Sequence, residues 1–141
     1  MTRGYSIPEL MLVFAVVGIL LGIAVPRFFR VMDYIAVEAA ATEVIAAHQR
    51  ARMMAIVRGQ VLTLDIDSTQ LRIALPGGVI PLWLQDGPVT SGVRLSGPTR
   101  RFTFSPTGIT LGLSNSSLLL SRGPSTRTVV FSRLGRVRVL R

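Results

Sequence analysis

Every residue from Leu10 to Val25 is apolar or glycine, a run of 16 positions with no polar face. At 1.5 Å of rise per residue such a run makes a helix about 24 Å long, a short membrane span, and a helix that is apolar all round has no side suited to water. Pro26 follows; it lacks a backbone donor and crowds the carbonyl one turn back, so a kink is expected there, with the helix resuming beyond it. From Arg30 to Arg58 there is neither glycine nor proline, and alanine is abundant. Val31, Ile35, Ala39, Thr42, Ala46, Gln49, Met53 and Ile56 fall near one stripe at helical spacing, which makes them the expected buried face. Gly59 is the expected stop. The segment from Ser6 to Arg58 thus reads as one long helix, membrane-spanning in its first half and amphipathic in its second.

Beyond Gly59 the period shortens from helical to two. Leu62, Leu64 and Ile66 alternate with polar residues, as do Leu71, Ile73 and Leu75, and the two runs read as a hairpin across Ser68 and Thr69. "VIPLWLQ" follows the Gly77 and Gly78 turn, and Pro81 confines it to a sheet edge; Trp83 is expected in packing. "VRL", "RFTF", "ITLGL" and "LLLS" come next, separated by "SPTG", "SNSS" and "RGPS" turns. A last pair, "TRTVVFSR" and "RVRVL", is joined through Leu134 and Gly135. Short strands with frequent turns and no helix between them predict an antiparallel sheet domain, and the chain as a whole is an α+β protein.

With 141 residues, 49% of them hydrophobic, and a single run near spanning length, the remaining apolarity belongs to one core. No cysteine is present, which excludes disulfides, iron–sulfur clusters and thiolate zinc. Charge is unevenly spread. After Asp86 no acidic residue occurs, yet Arg94, Arg100, Arg101, Arg122, Arg127, Arg133, Arg136, Arg138 and Arg141 all follow, within a formal net charge of +9. That balance points to anionic partners, either nucleic acid or an acidic protein surface. In a strand, Arg136 and Arg138 share a face about 7 Å apart, with Val137 and Val139 inward. With Arg133 and Arg141 they are candidate contacts to a phosphate backbone, or else charges that keep an edge strand from pairing. Catalysis is poorly supported: His48, the one histidine, lies on the helix far from any expected nucleophile, and Asp65 with Asp67 offers too few oxygens to hold a cation well. No cofactor or metal is expected.

One residue contradicts the apolar run it adjoins. Glu9 stands directly before Leu10, and a charge at the centre of a span costs about 2.5 to 3.5 kcal/mol on insertion scales. "GYSIPELMLVFAVVGILLGIAVP", with Gly4, Tyr5, Glu9 and Pro26 in this order, resembles the N-terminus of the type IV pilin and pseudopilin superfamily. Tyr5 stands in place of the usual phenylalanine and Pro8 in place of an aliphatic residue, which the first helical turn tolerates because it has no donor to lose. "FTFSPTGITLGLSNSSLLLSRGPSTRTVVFSRLGRVRVL" in turn resembles the C-terminal domain of GspH/FimT-type minor pseudopilins, chiefly through the "FSPTG" turn and the "GRVRV" ending.

The resemblance implies residues 1–4 as a leader, 5–29 as a transmembrane and assembly helix, 30–59 as an amphipathic stem, and 60–141 as a periplasmic β domain. It implies cleavage by prepilin peptidase between Gly4 and Tyr5, N-methylation of Tyr5, and assembly through Glu9, whose carboxylate neutralises the N-terminal amine of a neighbouring subunit. Other pilins or pseudopilins and the inner membrane are the implied partners. Two functions are compatible with it: a structural subunit of a type II secretion pseudopilus, or a minor type IV pilin that binds DNA for uptake through its Gly-Arg-x-Arg ending.

Overall fold

The computed structural model describes residues 6–97, 99–112, 116–132 and 136–140. Two compact units make up the chain, residues 1–32 and 33–141. In the first, every described residue is exposed and helical from Ile7 onward, and an 18-residue stretch meets the length and composition of a membrane span. The helix α1 (Ile7–Arg58) carries Pro26 inside it without a break in the helical assignment.

Gly59 ends the helix as expected. At φ +60 it takes the left-handed conformation, its N–H donates to the Ile56 carbonyl at 3.2 Å, and Gln60 N–H reaches back to Ala55 at 3.2 Å. This pair of bonds satisfies carbonyls that the helix end leaves without partners.

The described residues of the second unit form nine antiparallel strands in two sheets. Five of them, β1 (Leu62–Ile66), β2 (Gln70–Ala74), β3 (Pro81–Asp86), β5 (Arg100–Phe104) and β6 (Thr110–Leu111), form a sheet in the order β3-β2-β1-β5-β6. The others, β4 (Arg94–Ser96), β7 (Ser116–Arg122), β8 (Ser125–Phe131) and β9 (Val137–Leu140), form a second in the order β4-β7-β8-β9. The β1–β2 hairpin closes across Ser68 and Thr69, and β3 lies at a sheet edge, both in agreement with the sequence pattern. Leu75, expected inward, is exposed because it lies beyond the end of β2. The "SNSS" turn and the Leu134–Gly135 connection lie wholly or partly outside the described residues.

The buried face of α1 is not the expected stripe. Val37, Ala40, Ala41, Val44, Ala47, His48, Ala51 and Ala55 are buried, whereas Val31, Ile35, Ala39, Thr42, Ala46, Gln49, Met53 and Ile56 are all exposed. The reason is size: strands contribute the bulk of the core through Leu62, Leu64, Ile66, Phe104, Leu118, Leu120 and Phe131, and alanine on the facing helix lets them approach its backbone.

The "FSPTG" turn has a comparable role at the helix end. Ser105 closes the turn by accepting from Gly108 N–H at 2.8 Å, and Gly108, at φ +77, sits so close that a Cβ there would come within 2.7 Å of Ile56. Neither the dihedral nor the space suits a side chain.

His48 lies at the centre of this core, 1% exposed, with its ring centroid 5.5, 5.0 and 4.9 Å from those of Phe102, Phe104 and Phe131. Neither ring nitrogen has a hydrogen-bond partner among the described residues. Burial first, and then the Arg52 charge, lowers its pKa from 6.5 to about 4. The folded state therefore keeps His48 neutral while the unfolded chain takes up a proton below 6.5. Stability is fully present above that pH and falls as the pH drops toward 4, by about 3 kcal/mol for this residue. Urea unfolding of the full chain in detergent at several pH values should give this loss, and His48→Leu should remove that part of the pH dependence; equal slopes for the two proteins would refute it.

Candidate assembly and anion-binding sites

Two groups of residues carry the functional expectations. The first lies at the start of α1, where Ser6 accepts backbone hydrogen bonds from Glu9 at 3.1 Å and Leu10 at 3.2 Å. Glu9 is exposed in the first helical turn, where a negative charge is favoured by the unpaired N–H groups and the helix dipole. Gly4 and Tyr5 lie outside the described residues.

The second group is the arginine-rich end. Of the arginines after Asp86, three are committed to carboxylates from earlier in the chain. Arg101 Nε meets Asp65 Oδ1 at 2.6 Å, Arg122 Nε meets Asp33 Oδ1 at 3.0 Å, and Arg127 Nε meets Glu38 Oε2 at 2.9 Å. The hydrogen bond to Asp65 holds the Arg101 guanidinium above its usual pKa. Arg127 also stacks over the Tyr34 ring at 4.9 Å, and Arg122 donates to the Ser91 carbonyl at 2.7 Å. Register explains the last two: Arg127 lies opposite the buried Leu120, and Arg122 shares the face of Leu118 and Leu120, so both point to the helix side of their sheet.

Arg136 and Arg138 are different. Arg138 pairs with Val130 across β8–β9, Arg136 precedes β9 by one residue, and with Val130 and Ser132 they line one recess of about 290 Å³. Both are exposed, and neither has an acidic partner among the described residues. Their shared face agrees with the sequence pattern. Val137 and Val139 lie opposite the buried Phe131 and Val129, on the inward face as expected; Val137 packs partly against the core, and Val139 stays 40% exposed because β9 is the last strand of its sheet. Arg133 and Arg141 lie outside the described residues.

The acidic pair weighed as a cation site is otherwise engaged. Asp65 is bound by Arg101, and Asp67 accepts from Thr69 at 2.9 Å and Thr99 at 3.4 Å. The Ser68 backbone N–H, ahead of these hydroxyls, holds the Asp67 carboxyl below its usual range. Sequence reasoning missed Arg72, whose Nη2 donates to the carbonyls of Gly78 at 2.7 Å and Val79 at 2.6 Å. Its role depends on how the β2–β3 connection folds back, which no spacing encodes.

Comparison with known proteins bears on the fold and the family. No curated protein matches the chain. Two crystal structures of the type IV minor pilin FimU from Pseudomonas aeruginosa are similar in fold, each at 19% identity over 74% of this chain. They give TM-scores of 0.62 and 0.58 and are covered over 88% and 92% of their own length. The model of the family described as type II transport protein GspH matches residues 40–135, more than half of the sequence, and the chain therefore belongs to that family.

Proposed function

We propose that this chain is a minor pseudopilin, a structural subunit of a type II secretion pseudopilus that serves protein export across the outer membrane. The observation that carries the reading is the GspH family match on a chain whose N-terminal helix is exposed throughout residues 7–32 and apolar from Leu10 to Val25. Prepilin peptidase would cut between Gly4 and Tyr5, and the new amino group of Tyr5 would be methylated. Residues 5–29 would hold the subunit in the inner membrane and then in the filament, with the β domain in the periplasm; Pro26 would let the assembly helix bend. On this reading the chain performs no catalysis.

Glu9 sets the register of assembly. A carboxylate drawn into apolar surroundings is costly alone, and pairing with the N-terminal amine of a neighbouring subunit offsets much of that cost. Removing one partner strands the other. Glu9→Gln should leave cleavage intact yet lower incorporation into sheared filaments on the order of hundredfold, the equivalent of about 3 kcal/mol. Immunoblots of cell and filament fractions check this, and incorporation at the native level would contradict it.

A second reading, a DNA-binding minor type IV pilin acting in DNA uptake, is favoured by the placement of Arg136 and Arg138 on one face without acidic partners. Their spacing suits successive phosphates of a backbone. The full-length protein in detergent, titrated with duplex DNA at several salt concentrations, separates the two readings. The uptake reading predicts salt-sensitive binding whose logarithmic slope falls by about 1 per arginine lost in the Arg136→Gln/Arg138→Gln variant. No binding at low salt would leave the secretion reading alone.

A further inference from the structure

On the face of the five-stranded sheet opposite the core, Leu84, Arg72, Asp65 and Arg101 stand in one row across β3, β2, β1 and β5. The connection of residues 75–80 folds over this face, fixed by the two bonds from Arg72 Nη2 to Gly78 and Val79. A cleft of about 510 Å³ results, with Arg72, Asp65 and Arg101 along it and Leu75, Val79 and Leu84 at its sides.

The charges in it are unequal. Asp65 is taken by Arg101 through Nε at 2.6 Å and Nη2 at 3.2 Å. Arg72 is half-buried and meets no carboxylate among the described residues. A guanidinium offers five N–H donors, and among the described residues only Nη2 is engaged, which leaves the donors of Nε and Nη1 for a partner. A partly desolvated cation of this kind gains most from a carboxylate with which it can form charge-assisted bonds.

The backbone beside it is also unpaired. β3 is the terminal strand of its sheet, and within it only Pro81 lacks an N–H. Edge strands are normally blunted by charge or proline; β3 has these at its ends, as Pro81 and Asp86, while Leu84 within it and Val79 and Ile80 just before it are 54, 88 and 81% exposed.

We propose that β3 and this cleft together dock an extended segment of a partner protein that carries one acidic residue among apolar ones. The segment adds as a further strand along β3, with backbone bonds supplying affinity and alternate side chains specificity. Its apolar residues cover Val79 and Ile80. The acidic residue stands beside Leu84 on the cleft face and reaches over it toward Arg72, two strand spacings or about 10 Å away, a gap that two long side chains span together. Asp86, at the far end of β3, excludes a second acid there and so fixes the register; it also makes a continuous polyanion a poor occupant. This surface is separate from Glu9 and from Arg136 and Arg138, and it stands whichever reading of function holds.

Trp83, the single tryptophan of the chain, lies on β3 but on the other face, paired with the buried Ile73 and 5.0 Å from the Arg50 guanidinium, so binding is read from a label on the peptide. Two short synthetic peptides with a terminal fluorophore, one carrying a single glutamate among valines and the other a single lysine in its place, would be followed by fluorescence anisotropy as the full-length protein in detergent is added. The glutamate peptide should bind at least about tenfold more tightly than the lysine peptide. Arg72→Gln should weaken it by about as much. Leu84→Asp should do the same, because it places a competing carboxylate directly opposite Arg72 while leaving the bonds to Gly78 and Val79 in place. Equal affinity for the two peptides, no saturable change with either, or glutamate-peptide binding that survives in both variants would overturn the proposal.

Discussion

The β domain depends on the contact between a helix face of small side chains and the large side chains of two sheets, with His48 at its centre. Phe102 and Phe104 approach His48 from the five-stranded sheet and Phe131 from the four-stranded one, so a single imidazole joins three elements. Alanines at positions 40, 41, 47, 51 and 55 make the approach possible, since a larger residue at any of them would hold the sheets away. The same economy leaves the larger apolar residues of α1, such as Ile35, Met53 and Ile56, on the outside. On the proposed reading, in which subunits assemble through their N-terminal helices, a helix that is apolar on both sides has a use.

Charge is organised by the same packing. Along the sequence the acids lie early and the arginines late, which suggests a uniformly basic domain; in space Asp33, Glu38 and Asp65 each meet one of the late arginines. Part of the asymmetry is therefore a device that joins the ends of the unit, through contacts 89 residues apart in the case of Glu38 and Arg127. Buried or half-buried pairs of this kind contribute less to net stability than to fixing one arrangement over another. Among the cations that meet no carboxylate within the described residues are Arg136 and Arg138 at one sheet edge and Arg72 near another, each with capacity for a partner outside the chain.

Much of this was legible in the sequence, and the exceptions have physical causes. The helix bounds followed from the absence of glycine and proline between Arg30 and Arg58 and from Gly59. The β1–β2 hairpin, the edge position of β3 and the β8–β9 pair followed from period-two alternation and Pro81. The buried face of α1 was misread because helical spacing in an alanine-rich segment fits more than one stripe; here the facing strands supply the bulk and the helix the space. The division into two sheets left no trace, since alternation tells which side of a strand is buried but not which strand lies beside it. For the candidate sites, the shared face of Arg136 and Arg138 was readable from spacing alone. Arg72 was not, because its surroundings come from a connection folding back over a sheet.

The central claim is that the N-terminal segment is that of a processed pilin-type subunit, with Glu9 positioned relative to a new amino terminus at Tyr5. Intact-mass and N-terminal fragment spectrometry of the protein recovered from membranes of a cell that carries a prepilin peptidase tests it directly. The account predicts loss of residues 1–4 and a single methyl group on the amine of Tyr5. Recovery of the chain with Met1 to Gly4 still attached would contradict it.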